Sequence, residues 1–371
     1  MSLINVFKNE EKAIFDLRTL YLKYGYCHFK VSKFEEYDLY AKNKNFLVSE
    51  KILTFSDTNG KLMALKPDIT LSIIKNIGNG RERLTKVCYN ETVYRAPSDS
   101  EGFKEIMQTG LECIGELDLY AETEVIMLAL KSLETIGSDY LLDLSHMGFL
   151  IGLFEEAGIA PVEVSELLRH ISSKNSAAVS DFCWRNGVSD EHCEIILKIT
   201  GIYAPLDAAL EQIKDFIRGE KMRSAYDKLA DISRIMKLYG LKEKLYLDFS
   251  VVNDMNYYND LIFRGFINGI YDGVLSGGRY DSLINKLGKK ADAIGFAVYL
   301  DKLERLESGR ETYDADVLVE YEPGTDAGIV IRETEKILAS GRSVRAQCVL
   351  AGIPDDRRYR KRIRIGTEAG K

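Results

Sequence analysis

The chain has 371 residues, 46% of them hydrophobic, and a formal net charge of −7. A chain of this length buries a large core and is expected to form about two or three domains. The negative charge argues against broad, non-specific binding of a phosphate backbone, because such binding depends on an excess of Lys and Arg.

The cysteines are spaced irregularly, without the CxxC pairs of zinc sites or the rhythm of a disulfide framework. We therefore expect neither disulfides nor a metal. The first residues carry acids and no long apolar segment, and no apolar run is long enough to span a bilayer. These features predict a cytoplasmic protein that has no membrane association.

The N-terminal part predicts helices alternating with short strands. Apolar residues recur at helical spacing over 10–24, and Gly25 follows, as a helix end prefers. Pro67 stands where a further helix can begin. Between them we expect strands at 27–31, 52–56 and 62–65, and a charged helical piece at 34–40.

The next segment predicts a long hairpin. Residues 86–116 contain two strand-like runs separated by a loop rich in Ser, Asp, Pro and Gly. An amphipathic helix is expected at 121–136 and a strand at 140–144.

Residues 148–244 change character, because charged and apolar residues mix there with helical periodicity. We interpret this segment as an inserted helical subdomain. It contains four residues of types that bind metals, but their spacing does not present two facing ligand pairs, so we interpret them as structural. These residues are His170, Cys183, His192 and Cys193.

The segment after the insertion predicts antiparallel strands. Apolar residues alternate on both sides of Asn268-Gly269, a dipeptide typical of hairpin turns. Gly277 and Gly278 then place bare backbone beside polar and aromatic groups at Arg279-Tyr280. A small ligand can approach the main chain closely at such a place.

Residues 313–347 alternate strand, helix and strand, which predicts a small βαβ-like unit. Residues 355–364 are dense in Arg and Lys; we interpret them as a solvated basic tail rather than an anion or partner contact. The predicted class is α+β. The predicted domains are a core at 1–147 and 245–310, the insertion at 148–244 and a C-terminal unit at 311–371.

Several polar residues form a candidate pocket. Gln108, Gly110 and Glu112 alternate along one strand, so both polar side chains point to one face with a gap between them. A merely solvated face explains this pattern equally well. The other candidates are Asp68, Thr70, Arg95, Tyr257, Tyr258, Tyr280, Gly277, Gly278 and Gly295.

The residue types in this pocket suit a free amino acid. Asp68, Thr70 and Gln108 offer acceptors for an ammonium group, and Glu112 with a tyrosine hydroxyl suits an imidazole. The sequence contains no GxxxxGK[ST], GxGxxG or HExxH motif, and its four histidines are scattered. We therefore expect no cofactor, and nothing in these motifs requires catalysis.

Five separated segments resemble the catalytic core of class II histidyl-tRNA synthetases over roughly residues 10–305: LKPDIT, ETVYRAP with FKEIMQTGLECIG, NDMNYY, LSGGRYDSL and AIGFAVYLDKL. The resemblance implies a six-stranded antiparallel sheet flanked by helices. Adjacent strand residues face opposite sides, so only one of Tyr257 and Tyr258 is expected to face the ligand. The resemblance selects Tyr258. It implies a histidine site at Asp68, Thr70, Gln108, Glu112, Tyr258, Gly277, Gly278 and Tyr280.

The departures from the synthetase pattern concern ATP. Arg95 matches the arginine that faces the α-phosphate, but Asn253 stands where the family has its catalytic arginine, and Lys302 where an arginine stacks on ATP. An arginine makes planar, bidentate contacts that Asn cannot make and Lys makes only in part. Adenylation is therefore expected to be largely lost.

This combination resembles the regulatory subunits of ATP phosphoribosyltransferase. That resemblance implies a non-catalytic chain that self-associates as a dimer, partners a short catalytic subunit, and binds histidine as a feedback signal in histidine biosynthesis. The C-terminal unit resembles only part of an anticodon-binding domain, so a tRNA role is not expected. Two alternatives stay open: an active histidyl-tRNA synthetase, and a synthetase-like scaffold with a degenerate pocket.

Overall fold

The computed structural model describes residues 8–44, 47, 51–77, 83–96, 102–252, 257–307, 313–349 and 357–366. The chain divides into two compact units, a larger one at Asn9–Leu306 and a smaller one at Glu307–Lys371. The predicted insertion lies inside the larger unit.

Helices and strands of the larger unit follow the predicted order. Its helices are α1 (Asn9–Lys23), α2 (Tyr37–Ala41), α3 (Thr70–Asn76), α4 (Leu119–Ile136), α5 (Met147–Glu156), α6 (Val164–Ser172), α7 (Ser176–Arg185), α8 (Asp190–Thr200), α9 (Leu206–Ile213), α10 (Gly219–Leu238) and α11 (Asp281–Lys286). Its strands are β1 (Cys27–His28), β2 (Phe34–Glu36), β3 (Thr54–Ser56), β4 (Leu62–Leu65), β5 (Leu84–Arg95), β6 (Lys104–Gly115), β7 (Tyr140–His146), β8 (Tyr203–Pro205), β9 (Leu245–Asp248), β10 (Leu261–Ile267), β11 (Leu275–Arg279) and β12 (Asp292–Tyr299). Short 3-10 helices lie at Lys214–Phe216, Lys242–Lys244 and Leu300–Glu307.

Strands of the large sheet follow the order β1-β5-β6-β12-β11-β10-β7-β9-β8. The six from β5 to β7 in this order are antiparallel throughout, which confirms the predicted core. Three further strands extend it at the edges: β1 pairs in parallel with β5 and β9 in parallel with β7, whereas β8 pairs antiparallel with β9. The sheet is therefore mixed and wider than predicted.

Both predicted hairpins of this sheet are confirmed, β5 with β6 and β10 with β11. Near the second turn, the Asn268 side chain donates to Asp139 Oδ2 over 2.9 Å. Strand β9 ends at Asp248 and pairs with β7, so it is not part of the β10–β11 hairpin. The helical piece expected at 34–40 is half strand, since β2 pairs with β4 in a separate sheet of order β2-β4-β3.

The two faces of the large sheet differ. One face is apolar and packs against α1 and α4, and the ring of Tyr21 on α1 meets Phe296 edge to face at 5.9 Å. The opposite face, here called the polar face, carries Glu112, Gly295 and Gly278, which stand side by side on neighbouring strands. Because side chains alternate along a strand, each strand contributes to both faces.

The insertion contains α5–α10 and β8, and α5 packs against α10. Strand β8 pairs with β9, so this segment also extends the large sheet. Among the described residues, no helix is both long enough and apolar enough to cross a membrane.

The smaller unit contains β13 (Ala315–Tyr321), α12 (Ala327–Ala339), β14 (Val344–Cys348) and β15 (Tyr359–Ile365). Its sheet has the order β14-β13-β15, and both pairings are parallel. The predicted strand–helix–strand unit is confirmed, and its core is formed by Val317, Val319 and Ile337.

The predicted basic tail is wrong where the structure describes it, because Tyr359–Ile365 is a strand. Ile363 and Ile365 pack against the small core. The alternating arginines form ion pairs with acidic residues on or next to β13. Arg360 pairs with Asp316 at 3.4 Å, Arg362 with Glu320 at 3.8 Å and Arg364 with Glu322, just after β13, at 3.9 Å. Period-two alternation and ion pairing to acids thus convert a charged segment into a strand.

Candidate ligand-binding site

A cavity of about 70 Å³ lies on the polar face of the large sheet. Strands β5, β6, β11 and β12 form its floor, and the residues around the start of α3 form one wall. Nine of the residues proposed from the sequence line this cavity: Asp68, Thr70, Arg95, Gln108, Glu112, Tyr257, Tyr258, Tyr280 and Gly295. Residues far apart in the chain are thereby brought together.

The alternation along β6 has the predicted consequence. Gln108 and Glu112 both line the cavity and are only 3% and 2% exposed, so the solvated-face alternative is wrong. A Cβ at Gly110 would stand 2.6 Å from the Tyr89 hydroxyl, so the missing side chain makes room for that ring.

Glu112 is the most completely bonded group in the cavity. The Thr70 hydroxyl donates to Oε1 over 2.8 Å, and the Tyr280 hydroxyl donates to Oε2 over 2.6 Å. A Cβ at Gly295 would stand 1.7 Å from Oε2, so only glycine leaves the carboxylate its place. Burial raises the pKa of Glu112 to about 8, partly opposed by these two hydrogen bonds, and the negative charge of Asp68 raises it further.

Asp68 lies at the start of α3, where its Oδ1 accepts from the Leu71 amide over 2.9 Å. Burial raises the pKa of its carboxyl, and the guanidinium of Arg95, 3.8 Å from Oδ2, acts in the opposite direction. The Arg95 Nε also donates to the Pro67 carbonyl over 2.7 Å. The contacts with Pro67 and Asp68 therefore hold the Arg95 side chain in the wall of the cavity.

Gln108 supplies an unused donor. Its Nε2 is buried and has no hydrogen-bond partner in the described part of the chain. Buried polar groups are almost always paired in native structures, so such an exception needs an explanation. A ligand acceptor in the cavity provides one.

Two tyrosines line the cavity from the same side. The rings of Tyr257 and Tyr258 lie 4.7 Å apart at 70°, and Tyr257 lies 6.1 Å from Tyr280. The strand alternation assumed for these two neighbours is wrong, because both line the cavity and both lie outside the strands, between β9 and β10. Burial raises the pKa of each hydroxyl, which keeps both protonated at neutral pH.

Of the predicted glycines, Gly295 lines the cavity, whereas Gly277 and Gly278 stand near it but are not among its lining residues. A Cβ at Gly278 would come within 2.7 Å of the Tyr258 ring, so this glycine lets that ring lie flat on the sheet. Gly277 points to the apolar face, where a Cβ would stand 2.6 Å from Phe263 and 2.5 Å from Phe296. Their role is close packing of ring and sheet, which corrects the predicted ligand contact.

Of the two positions where the sequence departs from the synthetase pattern, Asn253 lies outside the described residues. Lys302 is not among the cavity-lining residues: its ammonium donates to the Gly273 carbonyl over 2.8 Å and stands 5.1 Å from the centre of the Tyr299 ring.

Sequence reasoning missed several lining residues, notably Tyr89, Ser276 and Tyr299. The register of the strands would have identified Tyr89 and Tyr299 as lining residues. Tyr89 stands opposite Gly110, and Tyr299 opposite Gln108, so both share the face of the predicted ligand residues.

The metal-type residues of the insertion have structural contacts. His192 Nδ1 lies 2.7 Å from the Ser189 hydroxyl at the start of α8, and His170 lies 3.5 Å from Glu166 on α6. Cys183 is buried, and Cys193 packs against the main core. In the ranges that the structure describes, no group of three or more His, Cys, Asp or Glu is arranged to hold a metal ion.

Comparison with known proteins identifies relatives over most of the chain. The family model described as histidyl-tRNA synthetase matches residues 3–303. A curated ATP phosphoribosyltransferase regulatory subunit from Ruminiclostridium cellulolyticum is 27% identical over 359 residues, covering 94% of this chain and 85% of the relative. One from Bacillus cereus is 27% identical over 315 residues, covering 82% and 75%.

Solved structures share the fold. An ATP phosphoribosyltransferase regulatory subunit/histidyl-tRNA synthetase from Bacillus halodurans has a TM-score of 0.77 at 23% identity, covering 96% of this chain and 94% of the other. A histidyl-tRNA synthetase from Nostoc has a TM-score of 0.72 at 17% identity, with coverages of 93% and 83%. A chain of an ATP phosphoribosyl transferase complex from Thermotoga maritima has a TM-score of 0.62 at 19% identity, covering 77% and 96%. The matching family model, the class II synthetase-like fold and the cavity at the corresponding motifs agree: this chain belongs to the histidyl-tRNA synthetase family.

Proposed function

We propose that this chain is a non-catalytic regulatory subunit of ATP phosphoribosyltransferase and that free histidine binds in the cavity around Glu112. The observation that carries the proposal is the buried Thr70–Glu112–Tyr280 network beside the unused Gln108 donor. The names of the curated relatives support the regulatory role.

Each part of histidine has a suitable neighbour. An imidazole needs a donor, an acceptor and an apolar wall, which Glu112 and the tyrosine hydroxyls and rings provide. The ammonium group suits Asp68 and the Thr70 hydroxyl. The Gln108 amide can donate to the carboxylate, which would satisfy its buried Nε2.

The cavity must open for this ligand. Its volume of about 70 Å³ is far below that of most small-molecule pockets, which hold roughly 300–1,000 Å³. Tyr257 and Tyr258 form one wall and lie in a turn, so we expect histidine binding to displace their rings. A change in the near-ultraviolet circular dichroism of tyrosine on titration with histidine would report this movement.

The same site is poorly equipped for adenylation. The Arg95 guanidinium is held by the Pro67 carbonyl and Asp68, and the Lys302 ammonium is held by the Gly273 carbonyl. Catalysis of phosphoryl chemistry depends on positive charges placed where negative charge develops. Asparagine at position 253 supplies no charge there.

The first experiment is calorimetry with histidine in the absence of ATP. We expect saturable binding to the unaltered protein and at least about a tenfold loss in Glu112→Gln, since the amide nitrogen cannot accept a hydrogen bond where a carboxyl oxygen does. Glu116→Gln is the matched control, because Glu116 lies just beyond the same strand, is exposed and pairs with Arg83. Absence of binding at millimolar histidine would refute the sensor role.

The second experiment adds a short-form catalytic subunit of ATP phosphoribosyltransferase. We expect the two chains to form a complex, the present chain to self-associate as a dimer, and the catalytic rate to rise on mixing and fall with histidine. Coupling between sites is reciprocal, so the phosphoribosyltransferase substrates should change histidine affinity by the same factor as histidine changes theirs. No complex and no activation would contradict the regulatory assignment.

The alternatives are separated by a third measurement, histidine-dependent exchange of pyrophosphate into ATP. We expect none. Robust exchange would establish an active synthetase, whereas a chain that neither exchanges, binds histidine nor joins the catalytic subunit would be a scaffold with a degenerate pocket.

A further inference from the structure

A second polar cluster lies on the polar face, towards the opposite edge of the large sheet. Asp143 on β7 stands opposite Arg264 on β10, which in turn stands opposite Ser276, a residue of the first cavity. A groove of about 590 Å³ runs beside Asp143, a volume within the range of small-molecule sites. Its walls include Tyr140, Tyr203, Phe266 and Tyr271.

One of the two carboxylate oxygens of Asp143 has no hydrogen-bond partner among the described residues. The residue is 5% exposed, and the unpartnered oxygen is Oδ1. Two residues further along the strand, and therefore on the same face, the Ser145 hydroxyl is fully buried and also unpartnered within the described ranges. Buried polar atoms are rarely left unpaired, and a carboxylate oxygen is the costliest kind.

The cationic side chains near Asp143, those of Lys174 and Arg264, have other contacts. The Lys174 ammonium pairs with Asp248 Oδ2 at 2.8 Å, and the Arg264 guanidinium lies 5.5 Å from the centre of the Phe266 ring. Burial, with the charge of Asp248, raises the pKa of Asp143 to about 7, while a hydrogen bond from the Tyr203 hydroxyl and the charges of Lys174 and Arg264 act to lower it. The surroundings leave a carboxylate that lacks a close counter-charge.

Two tyrosine rings of the groove walls already contact ammonium groups of the chain itself. The Lys174 ammonium stands 5.1 Å from the centre of the Tyr203 ring, and the Lys244 ammonium stands 5.0 Å from that of Tyr140. The face of an aromatic ring attracts positive charge. Tyr271, which is 96% exposed, stands at the rim where a ligand would meet it.

We propose that this groove binds a small organic cation, whose primary ammonium or guanidinium group donates a hydrogen bond to Asp143 Oδ1 while its carbon chain lies against the tyrosine rings. The site is separate from the proposed histidine cavity. It takes a cation because its buried group is an acceptor, whereas the spare group of the first cavity, the Gln108 amide, is a donor.

The test uses agmatine and n-butylammonium as probes, with 1-butanol as the neutral analogue, in calorimetric titrations of the full chain. We expect saturable binding of both cations and none of the alcohol. In Asp143→Asn the affinity should fall by about tenfold or more, because a charge-assisted hydrogen bond is lost. Asp139→Asn is the matched control: Asp139 lines the same groove but is already bonded to Asn268, so affinity should change by less than about twofold.

The pH dependence gives a test without mutation. Cation binding needs the ionised carboxylate, so affinity should be about tenfold lower at pH 6 than at pH 8, as a group with a pKa of about 7 takes up its proton. Equal binding of the alcohol, full binding by Asp143→Asn, or no saturable cation binding at pH 8 would overturn the proposal. Histidine binding by Asp143→Asn should be retained, which distinguishes loss of this groove from loss of the fold or of the histidine cavity.

Discussion

Glu112 and Asp143 are buried carboxyl groups on one face of one sheet, and they show two different uses of the same residue chemistry. Burial raises the pKa of both, to about 8 and about 7 respectively. Glu112 receives two hydroxyl hydrogen bonds in a cavity of about 70 Å³, whereas Asp143 keeps an unpaired oxygen beside a groove of about 590 Å³. A raised pKa thus marks burial, and the bonded neighbours decide what the site recognises.

The bonded carboxyl is held by its surroundings in a fixed position, which favours recognition of shape. Asp143 offers one unpaired oxygen beside a larger groove, which in the proposed site favours a ligand that carries a cation.

Gly295→Ala should give the largest loss. The new methyl group would overlap Glu112 Oε2 and stand 2.5 Å from the Leu111 carbonyl, so backbone and carboxylate both have to shift. We expect roughly 3 kcal/mol or more of destabilisation in urea unfolding, together with loss of histidine binding. Gly366→Ala is the control, because nothing lies within 4 Å of its position. Equal stability of the two variants would show that Glu112 is free to move.

Stability should fall as pH rises from about 5 to 8. A carboxyl with a raised pKa binds its proton more tightly in the folded chain, so the folded state holds more protons than the unfolded state across this window and loses stability as they leave. Relative to the unaltered protein, Glu112→Gln should gain about 2 kcal/mol between pH 5.5 and pH 8, and Asp143→Asn a smaller amount. Urea unfolding at both pH values measures this; identical pH profiles for all three proteins would contradict it.

Tyr280→Phe removes one of the two donors to Glu112. The pKa of Glu112 should rise further, because this hydrogen bond lowers it, and histidine affinity should fall by about tenfold. Tyr271→Phe changes a hydroxyl at the rim of the other groove and should leave calorimetric histidine affinity unchanged. A similar loss in both variants would indicate that the two regions are not independent.

Arg360→Ala should have the smallest effect, less than about 1 kcal/mol of unfolding free energy, because its ion pair with Asp316 is largely exposed. It gives the baseline for charge removal where water screens the charge. A loss as large as that of Gly295→Ala would mean that the alternating arginines of β15 stabilise the smaller unit far more than exposed ion pairs do.

The sequence predicted the order of elements where local signals were strong. The turn at Asn268-Gly269, the amphipathic α4 and the alternation in β6 each appear in the structure as expected. Strand β15 was missed because its arginines suggested a solvated tail, although Ile363 and Ile365 alternate with them. The interpretation relied on the density of charge rather than on this alternation. The acidic residues of β13 that form ion pairs with the arginines are also distant in sequence.

The candidate site was predictable where side chains from one strand share a face, as Gln108 and Glu112 do. It was less predictable where backbone geometry decides, because the turn that places both Tyr257 and Tyr258 at the cavity breaks the alternation assumed for them. Gly277 and Gly278 do lie in a strand, so alternation places these two neighbours on opposite faces of the sheet. The sequence does not indicate that Asp143 Oδ1 is unpaired, because its hydrogen bonding depends on residues that the fold brings next to it.

The pairing of β7 with β10 also constrains how the chain folds. Leu144 stands opposite Phe263, and the whole of α5–α10 lies between them in sequence. Closing so long a segment costs entropy and slows folding, whereas α5–α10 form through local contacts. Early folding of these helices would shorten the distance that the two strands must close, so the insertion would set the rate at which the large sheet is completed.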